Sequence, residues 1–159
     1  MIPRPFGPSA GDAALLEQFA CSTSTGPAFE EEVEEWIQTR AVGWLNDTPR
    51  AVFQRRELVL LEDAGAVVAL AAWQDIVRVD LEGIWIEVLA VAATAQHGGN
   101  GQEAYDLVVH ELRTVERDGD VLAGLVHVEN HRSQRMLTRN GWRALGGWED
   151  DHELWVGRI

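Results

Sequence analysis

Residues 89–112, LAVAATAQHGGNGQEAYDLVVHEL, decide how this chain folds. An apolar run ends in the glycine-rich segment 96–101, and apolar residues then recur at helical spacing on Ala104, Val108 and Leu112. A glycine-rich turn between a strand and a helix exposes backbone N–H groups at the positive end of the helix dipole, where proteins hold phosphates and other anions. The stretch therefore predicts a strand, an anion-binding loop and a helix.

Length and charge limit the classes of protein to consider. The 159 residues are the usual size of one domain, so we expect a single domain over residues 1–159. Thirteen Lys and Arg against 26 Asp and Glu give a net charge of −13, which offers no long-range attraction to phosphate backbones or anionic lipid. We therefore expect no nucleic-acid partner. The longest apolar run, residues 66–73, is too short to cross a bilayer, so no membrane association is expected.

The cysteine content and the first residues of the chain bear on the compartment. Cys21 is the single cysteine, so an internal disulfide is excluded. The first residues are not followed by the apolar core of a signal peptide. These observations predict a cytoplasmic protein.

Periodicity predicts the remaining elements. Helical spacing of apolar residues indicates helices at 12–20, 28–45, 102–117 and 131–139. Strand-like runs lie at 57–61, 66–73, 84–91 and 121–128, with one or two more strands between 142 and 156. The first two strands are joined by a short turn and should pair antiparallel, whereas the middle of the chain forms a β-α-β crossover. We therefore expect an α/β fold with a mixed sheet.

Three kinds of anion site use such a loop. A nucleoside triphosphate site needs Lys followed by Ser or Thr after the last glycine, but Gly101 is followed by Gln102 and Glu103. Residues 99–104 do match the dinucleotide pattern G-x-G-x-x-A between a strand and a helix. That pattern normally opens the first βαβ unit of a domain, however, and here only about a third of the chain follows it. A nicotinamide cofactor stays as a minor alternative.

A third interpretation accounts for more positions at once. The stretch contains, at fixed spacing, Leu89, Val91, Ala93, Gln96, Gly99 and Gly101. This pattern resembles the acyl-CoA pyrophosphate loop of the GNAT N-acetyltransferase superfamily. The signature of that loop is Q/R-x-x-G-x-G/A. One position departs from the family pattern, because Ala93 stands where proline is frequent. A second block, residues 126–142, resembles the family pattern N-x-x-A/S-x-x-L-Y-x-x-x-G-F. The resemblance covers about residues 55–157.

The resemblance implies a fold and a cofactor. It predicts a mixed, mostly antiparallel sheet, flanked by helices and splayed between the strands at 84–91 and 121–128, with acetyl-CoA in the opening. The pyrophosphate would be held by backbone N–H groups of residues 97–102, with Gln96 as a neutral anchor of the loop and Asn130 near the pantetheine arm. His97 is expected as an exposed loop residue. The predicted cofactor-binding residues are Leu89, Val91, Gln96, His97, Gly98, Gly99, Asn100, Gly101, Gln102, Asn130 and Ser133. No metal is predicted.

The chemistry of acetyl transfer needs a base, because an alkyl amine with a pKa near ~10.4 is protonated at neutral pH and only its free form attacks a thioester. Glu87 is the predicted catalytic base. On a strand of period two it should point to the same face as Leu89 and Val91. Glu82 and Glu129 are reserves.

One family feature is missing. Many family members carry a tyrosine that protonates the departing thiolate, and this sequence has Leu137 in that place. The only tyrosine, Tyr105, belongs to the other helix of the crossover. A CoA-type thiol has a pKa near ~8.5 and leaves tolerably as a thiolate, so the loss need not abolish catalysis.

The predicted function is therefore an N-acetyltransferase that moves an acetyl group from acetyl-CoA to an amine of a small molecule or protein by direct attack. The alternative is a non-catalytic acyl-CoA-binding regulatory module. The net charge of −13 favours a cationic acceptor. The sequence does not determine the oligomeric state, and it allows a homodimer.

Overall fold

The computed structural model describes residues 1–7, 10–47, 55–78, 81–114 and 120–159, and of residues 10, 77, 78, 81 and 82 it describes the backbone alone. The strands are β1 (Ile2–Pro5), β2 (Arg56–Asp63), β3 (Ala66–Arg78), β4 (Leu81–Val91), β5 (Val121–His127), β6 (Arg143–Gly147) and β7 (His152–Arg158). The helices are α1 (Ala10–Glu17), α2 (Ala28–Thr39), α3 (Ala41–Asn46), α4 (Asn100–Thr114) and α5 (His131–Arg139), with a 3₁₀ turn at Ala93–Ala95. No described helix is both long and apolar enough to cross a lipid bilayer.

The strands form one mixed sheet in the order β1-β2-β3-β4-β5-β7-β6. The predicted α/β class and the antiparallel pairing of β2 with β3 are confirmed, as is the parallel pairing of β4 with β5 around the α4 crossover. One or two strands were expected near the end of the chain, and two are present, β6 and β7.

Most element bounds differ from the sequence prediction by a few residues, and three differences have a structural explanation or consequence. The long helix expected at 28–45 is interrupted at Arg40, which ends α2 and caps α3. β1 was not predicted, because two of its four residues are proline; it pairs antiparallel with β2 at the edge of the sheet, where proline is tolerated. The helix expected at 102–117 already begins at Asn100, and residues 115–117 lie outside the described residues.

Each face of the sheet has its own apolar core. One face packs against α4, which contributes Ala104, Tyr105, Val108, Val109 and Leu112. The other face packs against α1, α2 and α3, which contribute Leu16, Ile37 and Ala41. We call these the α4 face and the α2 face.

The parallel ladder between β4 and β5 is short. In the part of the chain that the structure describes, it runs over four residue pairs, from Gly83 with Val121 to Ile86 with Gly124. A Cβ atom on Gly83 would lie 2.5 Å from the carbonyl oxygen of Val121, so glycine is needed for this close approach. Beyond Ile86 and Gly124 both strands continue without pairing to each other. The predicted splay between the two central strands is therefore confirmed.

A β-bulge lies where the strands part. Ala72 of β3 pairs with Val88 and Trp73 pairs with Ile86, so Glu87 is an extra residue without a partner on β3. Consequently Ile86 packs with the core of the α4 face and Val88 with the core of the α2 face, although they are two residues apart. The bulge shifts the alternation of β4 by one residue at Glu87.

Candidate functional site

A cavity of ≈ 300 Å³ occupies the opening between β4 and β5. Its walls come from β4, β5, α2, α4, α5 and the start of β7. Four residues singled out from the sequence line it: Glu87, Leu89, Asn130 and Ser133. Val91 and residues 96–102 are not among the lining residues, because they lie at and beyond the carboxyl end of β4. The structure thus divides the predicted site into a cavity and a loop.

The bulge corrects the expected direction of Glu87. Its carboxyl group interacts with Arg56, whose guanidinium lies beside Trp44 of α3 on the α2 face, whereas Leu89 packs with the α4-face core. Simple alternation had placed Glu87 on the face of Leu89 and Val91, and the extra residue at the bulge makes that prediction wrong. Glu87 instead faces α2.

Burial makes Glu87 a stronger base than an exposed glutamate. Desolvation raises the pKa of its carboxyl group, since the charged form loses hydration, while the positive charge of Arg56 and the hydrogen bond with Trp85 act in the opposite direction. Arg56 is itself fixed, because its Nε donates to Gln74 and its Nη1 donates to the carbonyl oxygen of Trp44. A raised pKa and a fixed cation are common features of catalytic carboxyl groups.

The loop after β4 has the backbone conformation of a tight turn. His97 has φ 75° and Gly99 has φ 83°, both in the left-handed region. His97 is exposed, as expected. The side chain of Asn100 folds back, and its Nδ2 donates to the carbonyl oxygen of Ala95 over 2.6 Å. The first amides of α4 have no acceptor within the helix, and this loop conformation places them at the protein surface.

The surroundings of the glycines fit an anion at this loop. A Cβ atom on Gly99 would meet no protein atom within 4 Å, so the space above the loop is open. A Cβ atom on Gly101 would lie 3.9 Å from Sδ of Met136, an ordinary contact. Met136 also lines the cavity, so it links the first turn of α4 to the space between the strands. The structure itself therefore leaves room for a side chain at residue 101.

Gln96 and Arg132 join the loop to its surroundings. Nε2 of Gln96 donates to the carbonyl oxygen of Cys21 over 2.7 Å, which agrees with the predicted anchoring role. Its Oε1 accepts from Nη1 of Arg132 at 3.2 Å, so an exposed guanidinium lies beside the loop. Sequence reasoning missed Arg132, although a cation two residues after Asn130 in the second motif was the available signal. Arginine suits phosphate groups, because its planar fork can bind two oxygens.

Both the backbone N–H and the side chain of Gln102 make hydrogen bonds within the protein. Its backbone N–H donates to the carbonyl oxygen of Gly99 over 3.0 Å, as does that of Glu103 over 3.1 Å. Its side chain exchanges two hydrogen bonds with the amide of Asn140, at 3.1 and 2.9 Å. Gln102 is therefore engaged within the protein and ties α4 to the end of α5. The amides left for an anion are those of residues 97–101.

Asn130 begins α5. Its Oδ1 accepts the backbone N–H of Ser133 over 3.1 Å, which is the helix-capping bond expected of asparagine in this position. Both residues line the cavity. The cap orients the first turn of α5 toward the space between the strands.

The position of the missing tyrosine is also part of the cavity. Leu137 lines it together with Tyr105 and Trp142. The indole N–H of Trp142 donates to the hydroxyl oxygen of Tyr105 over 2.9 Å, and both rings are buried. Desolvation raises the pKa of Tyr105, so its hydroxyl group keeps its proton at neutral pH. This wall of the cavity therefore contains the phenol group of Tyr105 from α4, while α5 contributes Leu137 where a tyrosine was expected.

Two histidines complete the α2-face wall, and sequence reasoning missed both as site residues. His127 and His152 are opposite partners on β5 and β7 and both line the cavity. Their rings meet edge to face with centroids 5.2 Å apart, and His127 stacks on Phe29 of α2 at 4.9 Å. The reserve base Glu129 is exposed and does not line the cavity. The side chain of Glu82 lies outside the described residues.

Similarity searches relate this geometry to known proteins. No model of a protein family and no curated protein sequence matches the chain. Solved structures do match it. A candidate acetyltransferase of the GNAT family from Desulfovibrio desulfuricans is 18% identical, with 99% of this chain and 98% of that chain covered and a TM-score of 0.63. A ribosomal-protein-alanine N-acetyltransferase from Brucella melitensis is 14% identical, with full coverage of both chains and a TM-score of 0.58.

A third structure contains a ligand. Naa50 from Arabidopsis thaliana, in complex with the bisubstrate analogue CoA-Ac-MVNAL, is 12% identical, with 65% of this chain and 72% of that chain covered and a TM-score of 0.52. At these identities the likeness concerns the fold. The splayed mixed sheet of this chain is the sheet of the GNAT fold.

Proposed function

We propose that this chain, which has the GNAT fold, transfers an acetyl group from acetyl-CoA to a primary amine. The observation that carries the proposal is the position of Glu87, a half-buried carboxyl group at a strand bulge in the cavity where β4 and β5 separate. The glycine loop follows at the end of the same strand. A base beside a cavity for an acyl carrier is what amine acetylation requires. We also propose that residues 1–159 act as one domain.

Acetyl-CoA is the proposed cosubstrate. Its pyrophosphate would accept hydrogen bonds from the amides of residues 97–101 and gain a counter-charge from Arg132. The unpaired edge of β4 beyond Ile86 offers N–H and C=O groups, on the stretch that includes Leu89 and Val91, to the amides of the pantetheine arm. Asn130 and Ser133 lie across the opening. All of these groups bind polar atoms of the cofactor, and Met136 contributes an apolar contact.

Glu87 is the proposed base. Its carboxylate takes one proton from the ammonium group of the acceptor, directly or through water, and the free amine then attacks the thioester carbonyl carbon. Burial increases the proton affinity of Glu87. Arg56 keeps the group in its ionised, proton-accepting form over a wider pH range, because a nearby positive charge favours the carboxylate.

The cavity also suggests a class of acceptor. Its outer wall is formed by Phe29, Val33 and Trp36 of α2, with the exposed carboxylate of Glu32 beside them. An acceptor with an apolar group next to its ammonium group would satisfy both parts of this wall. The net charge of −13 favours cations near the opening.

We infer that the protein acts in the cytoplasm without a nucleic-acid or membrane partner, which its acidic charge supports. A homodimer is also proposed. All five residues of the edge strand β6 are exposed, and they include the apolar Leu145, while the exposed Trp148 follows directly after the strand. An open strand edge with apolar side chains favours pairing with another chain. Light scattering would give the oligomeric state directly.

The test measures binding and turnover separately. Thermal shifts with CoA, acetyl-CoA and NAD identify the ligand, and release of free thiol with a panel of amines measures transfer. Acetyl-CoA binding with thiol release that depends on the amine supports the proposal. Binding without release from any amine would favour the regulatory module instead. Stabilisation by NAD but not by CoA would exclude both.

A further inference from the structure

The paired histidines of the cavity wall differ in their proton positions. Nδ1 of His152 lies 2.7 Å from the carbonyl oxygen of Asp150. A carbonyl oxygen only accepts, so Nδ1 carries a proton and Nε2 of the neutral ring has a free lone pair. The amide of Glu129 donates to Nδ1 of His127 over 3.1 Å, so the neutral ring of His127 carries its proton on Nε2. One ring is thus arranged as an acceptor and the other as a donor.

The β6–β7 turn holds His152 in this state. Asp150 and Asp151 have φ 46° and 60°, two successive left-handed residues that turn the carbonyl of Asp150 back toward the ring. The backbone of His152 is fixed as well, because its N–H donates to Glu149 and its carbonyl accepts from Trp148. Since Nδ1 is occupied, Nε2 is the only ring nitrogen of His152 free to exchange a proton in the cavity.

The proposed reaction has a proton that Glu87 does not handle. An ammonium nitrogen loses two protons when it becomes an amide, and the departing sulfur of CoA takes up one proton to become the free thiol. Glu87 takes the first. The nitrogen still carries two protons and a positive charge after it attacks the carbonyl carbon. Leu137 has no proton to exchange, so the second transfer needs another group.

We propose that His152 performs this second transfer. The inference rests on the proposed acetyltransferase function. When the C–N bond has formed, Nε2 of His152 takes the second proton from the nitrogen and the ring becomes an imidazolium. The C–S bond then breaks, the sulfur keeps the electron pair, and the imidazolium returns the proton to it. The products are the amide and the free thiol, His152 is neutral again, and Glu87 gives its proton to solvent.

His127 acts as a positioning residue. It stacks on Phe29 and meets the ring of His152 edge to face, so it fixes the wall from which His152 works. An imidazole can accept and return a proton near neutral pH, as a shuttle between two atoms of one intermediate requires.

The experiment uses two substitutions at His152 and a matched control. His152→Asn keeps a donor at the place of Nδ1, and with it the bond to Asp150, but removes Nε2. His152→Ala leaves space for imidazole from solution. His110→Ala removes an exposed histidine of α4 that does not line the cavity. For each protein we would measure kcat, KM for both substrates, acetyl-CoA affinity, and kcat with added imidazole.

We expect His152→Asn to lower kcat on the order of 100-fold, with both KM values and acetyl-CoA affinity within about twofold of wild type. Imidazole should restore kcat in His152→Ala and change nothing in His110→Ala. A purely structural role would not respond to imidazole. The inference would be overturned, while the proposed function would stand, if His152→Asn kept the wild-type kcat or only raised the KM for the acceptor. Absence of turnover by the wild-type protein with every amine would refute the proposed function, and the inference with it.

Discussion

Nη1 of Arg132 donates to Oε1 of Gln96 over 3.2 Å, across 36 positions of sequence, and joins the start of α5 to the glycine loop. Nε2 of the same glutamine donates to the carbonyl oxygen of Cys21, so Gln96 is held from two sides. The guanidinium of Arg132 is exposed and lies beside the first residue of the glycine loop. This pair supplies positive charge to a loop whose signature position is a neutral glutamine.

Arg132→Gln should therefore weaken acetyl-CoA binding by about tenfold at low salt, roughly 1.4 kcal/mol. The difference from wild type should shrink as salt is added, because an exposed charge is screened. Titration calorimetry at two ionic strengths measures both effects. Arg139→Gln is the matched control, since it removes the same charge about 10 Å farther along α5. An equal loss in both variants would mean that general charge, not position, is responsible.

Gly101→Ala should separate folding from binding. The protein has room for the methyl group, with Met136 at 3.9 Å, and alanine favours a helix more than glycine does by up to ~1 kcal/mol. The variant should melt at the same temperature as wild type or higher, yet show a much smaller acetyl-CoA-induced shift. Gly101→Val, with a larger side chain, should abolish the shift. Full shifts in both variants would place the phosphates elsewhere.

Glu87→Gln should keep acetyl-CoA affinity and lower kcat on the order of 100-fold, because the amide cannot accept the ammonium proton. The loss should become smaller as pH rises toward the pKa of the amine, where free amine is already present. A pH series of kcat measures this. Glu129→Gln, at an exposed residue outside the cavity, is the control. Should the two variants have equal rates at every pH, Glu87 is not the base.

Glu87→Gln, which should lower kcat, should at the same time raise the stability of the fold at neutral pH. Burial raises the pKa of Glu87 in the folded chain above its unfolded value. Its contribution to stability is thus complete below the unfolded pKa and is lost as pH rises through the folded pKa. Glu87→Gln avoids this loss, so it should be more stable than wild type at pH 7, and the difference should shrink toward pH 4. Urea unfolding at both pH values tests the sign, and lower stability of the variant at pH 7 would contradict it.

Tyr105→Phe should destabilise the fold by about 1–3 kcal/mol, because it leaves the buried indole N–H of Trp142 without its acceptor. The double variant Tyr105→Phe/Trp142→Phe removes both partners, and it should be closer to wild type than the sum of the two single variants. Strictly additive losses in a double-mutant cycle would show that the bond contributes little.

The sequence predicted those parts of the site that depend on local pattern. The loop at 96–101, the strand before it and the helix after it follow from glycine content and apolar spacing. The cap formed by Asn130 is likewise a local signal. The opening between the strands was expected only from the family resemblance.

The rest depends on contacts between distant residues. The bulge at Glu87 arises from its register with Ala72 and Trp73, which no pattern within β4 reveals. His127 and His152 meet because β5 and β7 are neighbours in the sheet, although a helix and a strand separate them in sequence. The hydrogen bonds between the side chains of Gln102 and Asn140 likewise join residues 38 positions apart.

The short β4–β5 ladder also affects how the chain opens. Among the described residues, four pairs join β5 to the first half of the sheet, whereas seven pairs join β5 to β7. Regions with few connecting bonds open locally at lower free energy, as cooperative units smaller than the domain. We therefore expect β5, β6 and β7 to open as one such unit while β1–β4 stay folded. A molecule bound between β4 and β5 contacts both units and stabilises their association. Amide hydrogens of β5 should then exchange with solvent more slowly.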